Sequence, residues 1–157
     1  MQLAERVNLA VKAICGTTCP TMALFRNATA PNIMLIAAGG KARLVYSPQF
    51  FAALYGNYGD PGILAILAHE IGHALDDTLG AGWVKNSWPP ELRADSWAAC
   101  TLAKARLSPA DLGTALKGLA KYPAPMHPAW NQRLPVLRTG YTQCGGDGSQ
   151  FDKSAPH

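Results

Sequence analysis

Apolar residues recur along this chain at two spacings. Leu3, Val7, Ala10, Val11 and Ile14 keep a helical period over residues 3–14. Residues 21–26, 33–37 and 42–46 are short apolar runs, set apart by Asn27-Ala28-Thr29-Ala30-Pro31-Asn32 and by Gly39-Gly40-Lys41. Runs of that length between turn residues predict a three-stranded antiparallel meander. Beyond them the pattern is helical again. Ser47-Pro48 predicts a helix to Tyr55, with Ser47 as N-cap and proline in the first turn. Asp60-Pro61 predicts a second start, leading into the apolar residues 62–75. Pro89-Pro90 opens a third over 91–103, Ser108-Pro109 a fourth to about Lys121, and residues 128–138 a last one. From Gly145-Gly146-Asp147-Gly148-Ser149 onward the composition predicts a flexible C-terminal tail. The expected fold is an α+β domain over residues 1–144, helices covering one face of a small antiparallel sheet, followed by the tail at 145–157.

The densest chemistry lies inside the second of the long helices, at His69-Glu70-Ile71-Gly72-His73. Side chains four apart on a helix share a face, with Cβ atoms about 5–6 Å from each other. His69 and His73 are therefore placed to bind one metal ion through two imidazoles. Glu70 is turned by ~100° around the axis and flanks the metal as a base for water. A catalytic zinc takes three protein ligands and keeps one position open, so a third donor is expected. Asp76 and Asp77 are too near on the same helix to swing back, whereas Glu91 opens the next helix. Asp95 shares the face of Glu91 and is placed to hydrogen-bond a ligand imidazole from outside, fixing its tautomer. The competing reading of Glu91 is a first-turn acid favoured by the helix dipole.

His69-Glu70-x-x-His73 followed by Glu91-x-x-x-Asp95 resembles a gluzincin metallopeptidase. The wording Ala68-His69-Glu70-Ile71-Gly72-His73-Ala74-Leu75 and Glu91-Leu92-Arg93-Ala94-Asp95 is similar to the HtpX and CAAX-prenyl-protease family. That family also carries a later His-Pro before Arg and Leu, matched by His127-Pro128 and Arg133-Leu134, and a Pro-Asn before an apolar strand, matched by Pro31-Asn32. The resemblance spans roughly residues 20 to 138. It implies zincin-type helices, one zinc ion per chain bound by His69, His73 and Glu91, and peptide-bond hydrolysis with Glu70 as base. Two departures stand out. Family members often span membranes, and no apolar run here nears the ~18 residues a spanning helix needs. The interval between His73 and Glu91 is also short, closer to thermolysin-like spacing, so a soluble, minimal relative is expected.

Other residues carry open alternatives. His127 either stabilises the developing oxyanion, occupies the fourth metal position at rest, or organises the last helix through Pro128. Arg133 is expected to pair structurally, and Tyr46, Tyr55, Tyr58, Tyr122 and Tyr141 are all available as oxyanion donors. The strand containing Leu44, Val45 and Tyr46 is the expected sheet edge and a platform for an extended peptide, unless Lys41 and Arg43 protect that edge. Trp83, Trp88, Trp97 and Trp130 are expected in the core or in pocket walls.

With 157 residues the chain is the size of one domain. Its net charge of +4 comes without a clustered basic motif, so no nucleic-acid partner is expected; a protein or peptide substrate is. Oligomeric state is not encoded legibly. Residues 1–6 lack the basic start and apolar core of a signal peptide, so an exported chain is expected to be a mature form or a fragment. Four cysteines without a Cys-x-x-Cys pair favour disulfides, with Cys15–Cys19 and Cys100–Cys144 as one of three connectivities. This places the chain in a periplasmic or secreted setting, the alternative being four reduced thiols in the cytoplasm. The alternative to a peptidase is a catalytically silent or latent zinc-stabilised interaction module.

Overall fold

A computed structural model of the chain describes residues 2–26, 33–38, 41–122 and 127–157, with side chains at 2–20, 43–122 and 127–157. The connections at 27–32, which include Pro31-Asn32, and at 39–40 lie outside the described residues, as do residues 123–126. The elements are α1 (Leu3–Cys15), a short 3-10 turn (Gly16–Thr18), β1 (Thr21–Arg26), β2 (Ile33–Ala38), β3 (Lys41–Tyr46), α2 (Pro48–Thr78), α3 (Pro90–Lys104), α4 (Pro109–Ala120), α5 (Trp130–Gln143) and α6 (Gly148–Ser154).

The α+β expectation is corrected. The domain is predominantly helical: among residues with described side chains, 73% are helical and 3% are strand. The strand segments do not form an antiparallel meander either. Their order is β1-β3-β2, with β2 antiparallel and β1 parallel to β3. Apolar alternation marks a strand without fixing its neighbours, and the parallel pairing is a tertiary decision. This overturns the platform on Leu44, Val45 and Tyr46 as well. β3 is central, so its backbone donors and acceptors are taken on both sides. Leu44 is buried in the core, and the Tyr46 ring packs 5.0 Å from that of Phe51.

The helical starts follow local chemistry. Ser47 accepts from the Phe50 N–H at 3.2 Å, and Ser108 accepts from the Asp111 N–H at 3.2 Å, each with proline in the first turn. The two helices expected at 47 and 60 run together as α2, interrupted at Gly59, whose φ of 59° is open to glycine at no cost. The segment after Pro61 is the hub of the molecule. It buries Ala65, Ile66, Ala68, His69, Glu70, Gly72, Ala74 and Leu75, so it is covered on nearly every side.

α3 packs against α2 and α5 through small residues and is buried almost from end to end. A Cβ on Gly72 would collide with the Ala94 carbonyl, and one on Gly140 would collide with the Ser96 carbonyl. These two glycines set how closely α2 and α5 approach α3. Arg93 fastens the α2–α3 pair, donating to Asp76 at 2.8 Å and to the Trp88 carbonyl at 2.6 Å. Trp97 and Trp83 pack with their rings tilted by 57° and 5.2 Å apart, in a second apolar cluster with Cys15 and Leu75. Trp130 lies 5.4 Å from the Arg133 guanidinium.

Both expected disulfides are present, Cys15–Cys19 after α1 and Cys100–Cys144 between α3 and the end of α5. The C-terminal segment is not a free tail. Asp147 caps α6 by accepting from the Ser149 N–H at 2.8 Å, Phe151 is buried, and the Trp130 indole donates to the Pro156 carbonyl at 2.8 Å. No helix among the described residues is long and apolar enough to cross a membrane.

Candidate metal centre

The site forms where α2 and α3 pass at closest approach. Gly72 lies between His69 and His73 on one helix, and Ala94 between Glu91 and Asp95 on the other. Contact of glycine with backbone brings the two chemical faces together. His69 Nε2 is 2.8 Å from Glu91 Oε2, and His73 Nε2 is 3.2 Å from the same oxygen. His127 arrives from the connection between α4 and α5 and places its Nε2 3.3 Å from that oxygen too. Donor atoms of His69, Glu91 and His127 all lie within 4.8 Å of one another.

Behind the imidazoles lies a buried ion-pair chain. Asp95 accepts from His69 Nδ1 at 2.8 Å. Arg133, on α5, forks onto both Asp95 oxygens at 2.8 and 3.0 Å and donates to the Leu119 carbonyl at 3.1 Å. Asp95 is fully buried and Arg133 nearly so, so each depends on the other for its charge. The structural pairing expected of Arg133 is therefore with the residue that orients a site histidine.

Electrostatics favour positive charge at the centre. Burial alone would lower the pKa of His69, but hydrogen bonds to Asp95 and Glu91, with the pull of Asp95 and Glu70, push it up to about 9. Burial would raise Glu91, yet the hydrogen bonds from His127, His69 and His73 hold it well below the usual carboxylate range. Asp95 is lowered against its own burial by His69 and Arg133. With no metal bound, Asp95 and Glu91 thus favour the protonated form of the His69 ring.

Glu70 is buried and accepts the Tyr122 hydroxyl at 3.0 Å. Burial, and then the charge and hydrogen bond of Glu70, raise the Tyr122 pKa, which keeps the phenol neutral and donating. Its ring lies 4.9 Å from that of His127. Tyr122 was one of five tyrosines the sequence offered; only the tertiary contact selects it, since it sits 52 residues from Glu70. Of the expected residues, His69, His73, Glu91, Asp95, Glu70 and His127 come together, and Leu44, Val45 and Tyr46 do not join them as an edge.

The donor set fits a divalent metal. Imidazole nitrogen with carboxylate oxygen is a combination that holds divalent metals; the mutually close donors are those of His69, Glu91 and His127, while His73 reaches the Glu91 oxygen without joining that group. His69 has its other nitrogen fixed by a carboxylate, the outer arrangement that supports metal-binding histidines. A proton held at about 9 marks the place where a cation would substitute for it. No family model, no curated protein and no solved structure matches this chain.

Proposed function

We propose that the chain is a zinc-dependent endopeptidase with one zinc ion per chain, acting on proteins or peptides. The observation that carries this reading is the convergence of three Nε2 atoms on Glu91 Oε2, with Glu70 adjacent to the first of them. His69, His73 and Glu91 would hold the metal. A zinc ion there supplies Lewis acidity and brings the pKa of water down toward ~7.

The remaining chemistry belongs to the chain. Glu70 takes a proton from the attacking water and passes it to the leaving amine. Tyr122 holds the Glu70 carboxylate in one orientation through its hydroxyl. Asp95 and Arg133 hold His69 in the tautomer that presents Nε2 to the centre. Two disulfides suit an oxidising environment, and we place the chain in the periplasm or outside the cell. A zinc-stabilised module without turnover is the second reading, and the closeness of His127 to the other donors is what favours it.

Glu70→Gln separates the two. The variant should retain one equivalent of zinc by elemental analysis and lose at least ~100-fold in cleavage of a mixed peptide library, the lower range for a general base. Cleavage by Glu70→Gln at the wild-type rate, or by wild-type protein fully stripped with chelator, rejects the peptidase reading. Wild-type protein that keeps zinc and cleaves no member of the library favours the module.

A further inference from the structure

Away from the metal centre, α1 and the C-terminal ends of α3 and α5 enclose an open cavity of about 620 Å³. Arg6, Leu9, Ala10 and Ala13 share one face of α1 and form one wall. Residues 103–106 form the second wall, and Cys144 with Gly145 the third. The Cys100–Cys144 disulfide ties that third wall to α3. Lys104 ends α3, so the cavity lies roughly 20 Å along that axis from Glu91.

Three cations line this space, Arg6, Lys104 and Arg106, and no carboxylate among the described residues joins them. Neither Lys104 nor Arg106 forms an ion pair among the described residues. The helix dipole accounts for part of this, since cations suit the end of a helix. Arg6 answers it directly, donating from Nε to the Ala105 carbonyl at 2.9 Å and from Nη2 to the Arg106 carbonyl. It thereby covers two carbonyls that would repel an anion. The dipole does not explain why Arg106 stands in left-handed backbone, with φ at 55°. Just past a helix that conformation usually falls to glycine, which adopts it without strain. The chain keeps an arginine where glycine would be easier, and strain of this kind gathers at ligand-binding positions.

We infer that the cavity between α1 and the end of α3 binds a small organic polyanion, its phosphate or carboxylate groups held by Arg6, Lys104 and Arg106. The volume suits a small molecule. Three cations call for two or more negative charges. Leu9, Ala13 and Ala103 offer an apolar surface to the hydrocarbon part of the ligand. The site is independent of the zinc reading.

The test is calorimetric titration of the full chain with phenyl phosphate and with propane-1,2,3-tricarboxylate at fixed ionic strength. At least one should bind with a Kd below ~1 mM, shift the backbone amides of residues 6–13 and 103–106, and weaken as salt is raised. Whichever binds more tightly assigns the natural anion as phosphate or carboxylate. Affinity should be the same before and after treatment with chelator. In Arg106→Gly and in Lys104→Gln it should fall at least about tenfold, the order of one charge-assisted contact. Arg106→Gly should melt no lower than wild type, because glycine relieves the backbone; if it does melt lower, Lys104→Gln alone decides. Four results overturn the inference: no saturation by ~10 mM of either probe, binding that needs a bound metal, variants that bind like wild type, or sulfate binding as tightly as phenyl phosphate, which would mean an adventitious ion only.

Discussion

His69 and His127 reach the same carboxylate oxygen, at 2.8 and 3.3 Å, on very different supports. His69 sits mid-helix, fully buried, with both ring nitrogens bonded and a guanidinium standing behind its carboxylate. His127 lies outside any helix, and its Nδ1 has no hydrogen-bond partner among the described residues. Identical side chains thus have unequal standing at one centre. What separates them is the second layer of residues, because a buried polar network holds geometry only where each member is satisfied.

Asp95→Asn attacks the stronger support and carries the largest expected effect. It leaves Arg133 buried beside a neutral amide, and breaking a buried pair from one side costs ~3–5 kcal/mol. Metal affinity should fall about 10–100-fold, as for other lost outer partners. Thermal unfolding and a competition titration with a chromogenic chelator read the two effects. Unchanged metal affinity would erase the contrast between the two histidines.

The same contrast marks how far the sequence alone could reach. His69, Glu70 and His73 are legible because helical spacing fixes their relative positions within two turns. Glu91 and Asp95 are legible for the same reason, given a helix start at Pro89-Pro90. Tyr122 and the partner of Arg133 are not, since contacts across 52 and 38 positions depend on how α4 and α5 dock. The strand order fails to appear because alternation identifies a strand's faces and is silent on its neighbours. Residues 145–157 mislead in the other direction. Glycine, serine and aspartate suggest a loose end, yet Asp147 caps a helix and one aromatic, Phe151, anchors it in the core. Composition averages over a segment, whereas docking depends on a single well-placed side chain.

Two further variants sharpen the comparison at lower cost. Tyr122→Phe removes the hydroxyl donor to Glu70, a bond to a charged group worth ~1.5–3 kcal/mol. Turnover should drop at least about tenfold with zinc content unchanged, and a parallel loss of zinc would show that Tyr122 supports the metal side instead. Gly72→Ala forces a methyl group against the Ala94 carbonyl and should cost ~1–3 kcal/mol, the usual range for overpacking. It should also weaken metal binding by parting the α2 histidines from Glu91. A variant with wild-type melting temperature and affinity would mean that the interhelical distance is not set at this glycine.

The smallest expected effect is a pH dependence, and it is specific to His69. In metal-free protein its pKa is raised to about 9, against ~6.5 when unfolded. Between those values the folded chain binds the extra proton and the unfolded chain does not. The contribution to stability is therefore complete below ~6.5 and vanishes as pH climbs through 9. Glu91 and Asp95, both lowered, contribute only above the ordinary carboxylate range of ~4. Stripped protein should accordingly melt highest between about pH 4.5 and 6.5 and lose stability toward pH 9. Metal binding displaces the proton and needs neutral imidazoles, so loaded protein should gain over the same interval. Melting temperatures of stripped and loaded samples should thus diverge as pH rises. In Asp95→Asn the decline of the stripped sample should flatten, because the carboxylate that holds the proton on His69 is gone. Curves that run parallel from pH 6.5 to 9 would mean that proton and metal do not compete for one nitrogen, and His69 would lose its place as the fixed ligand.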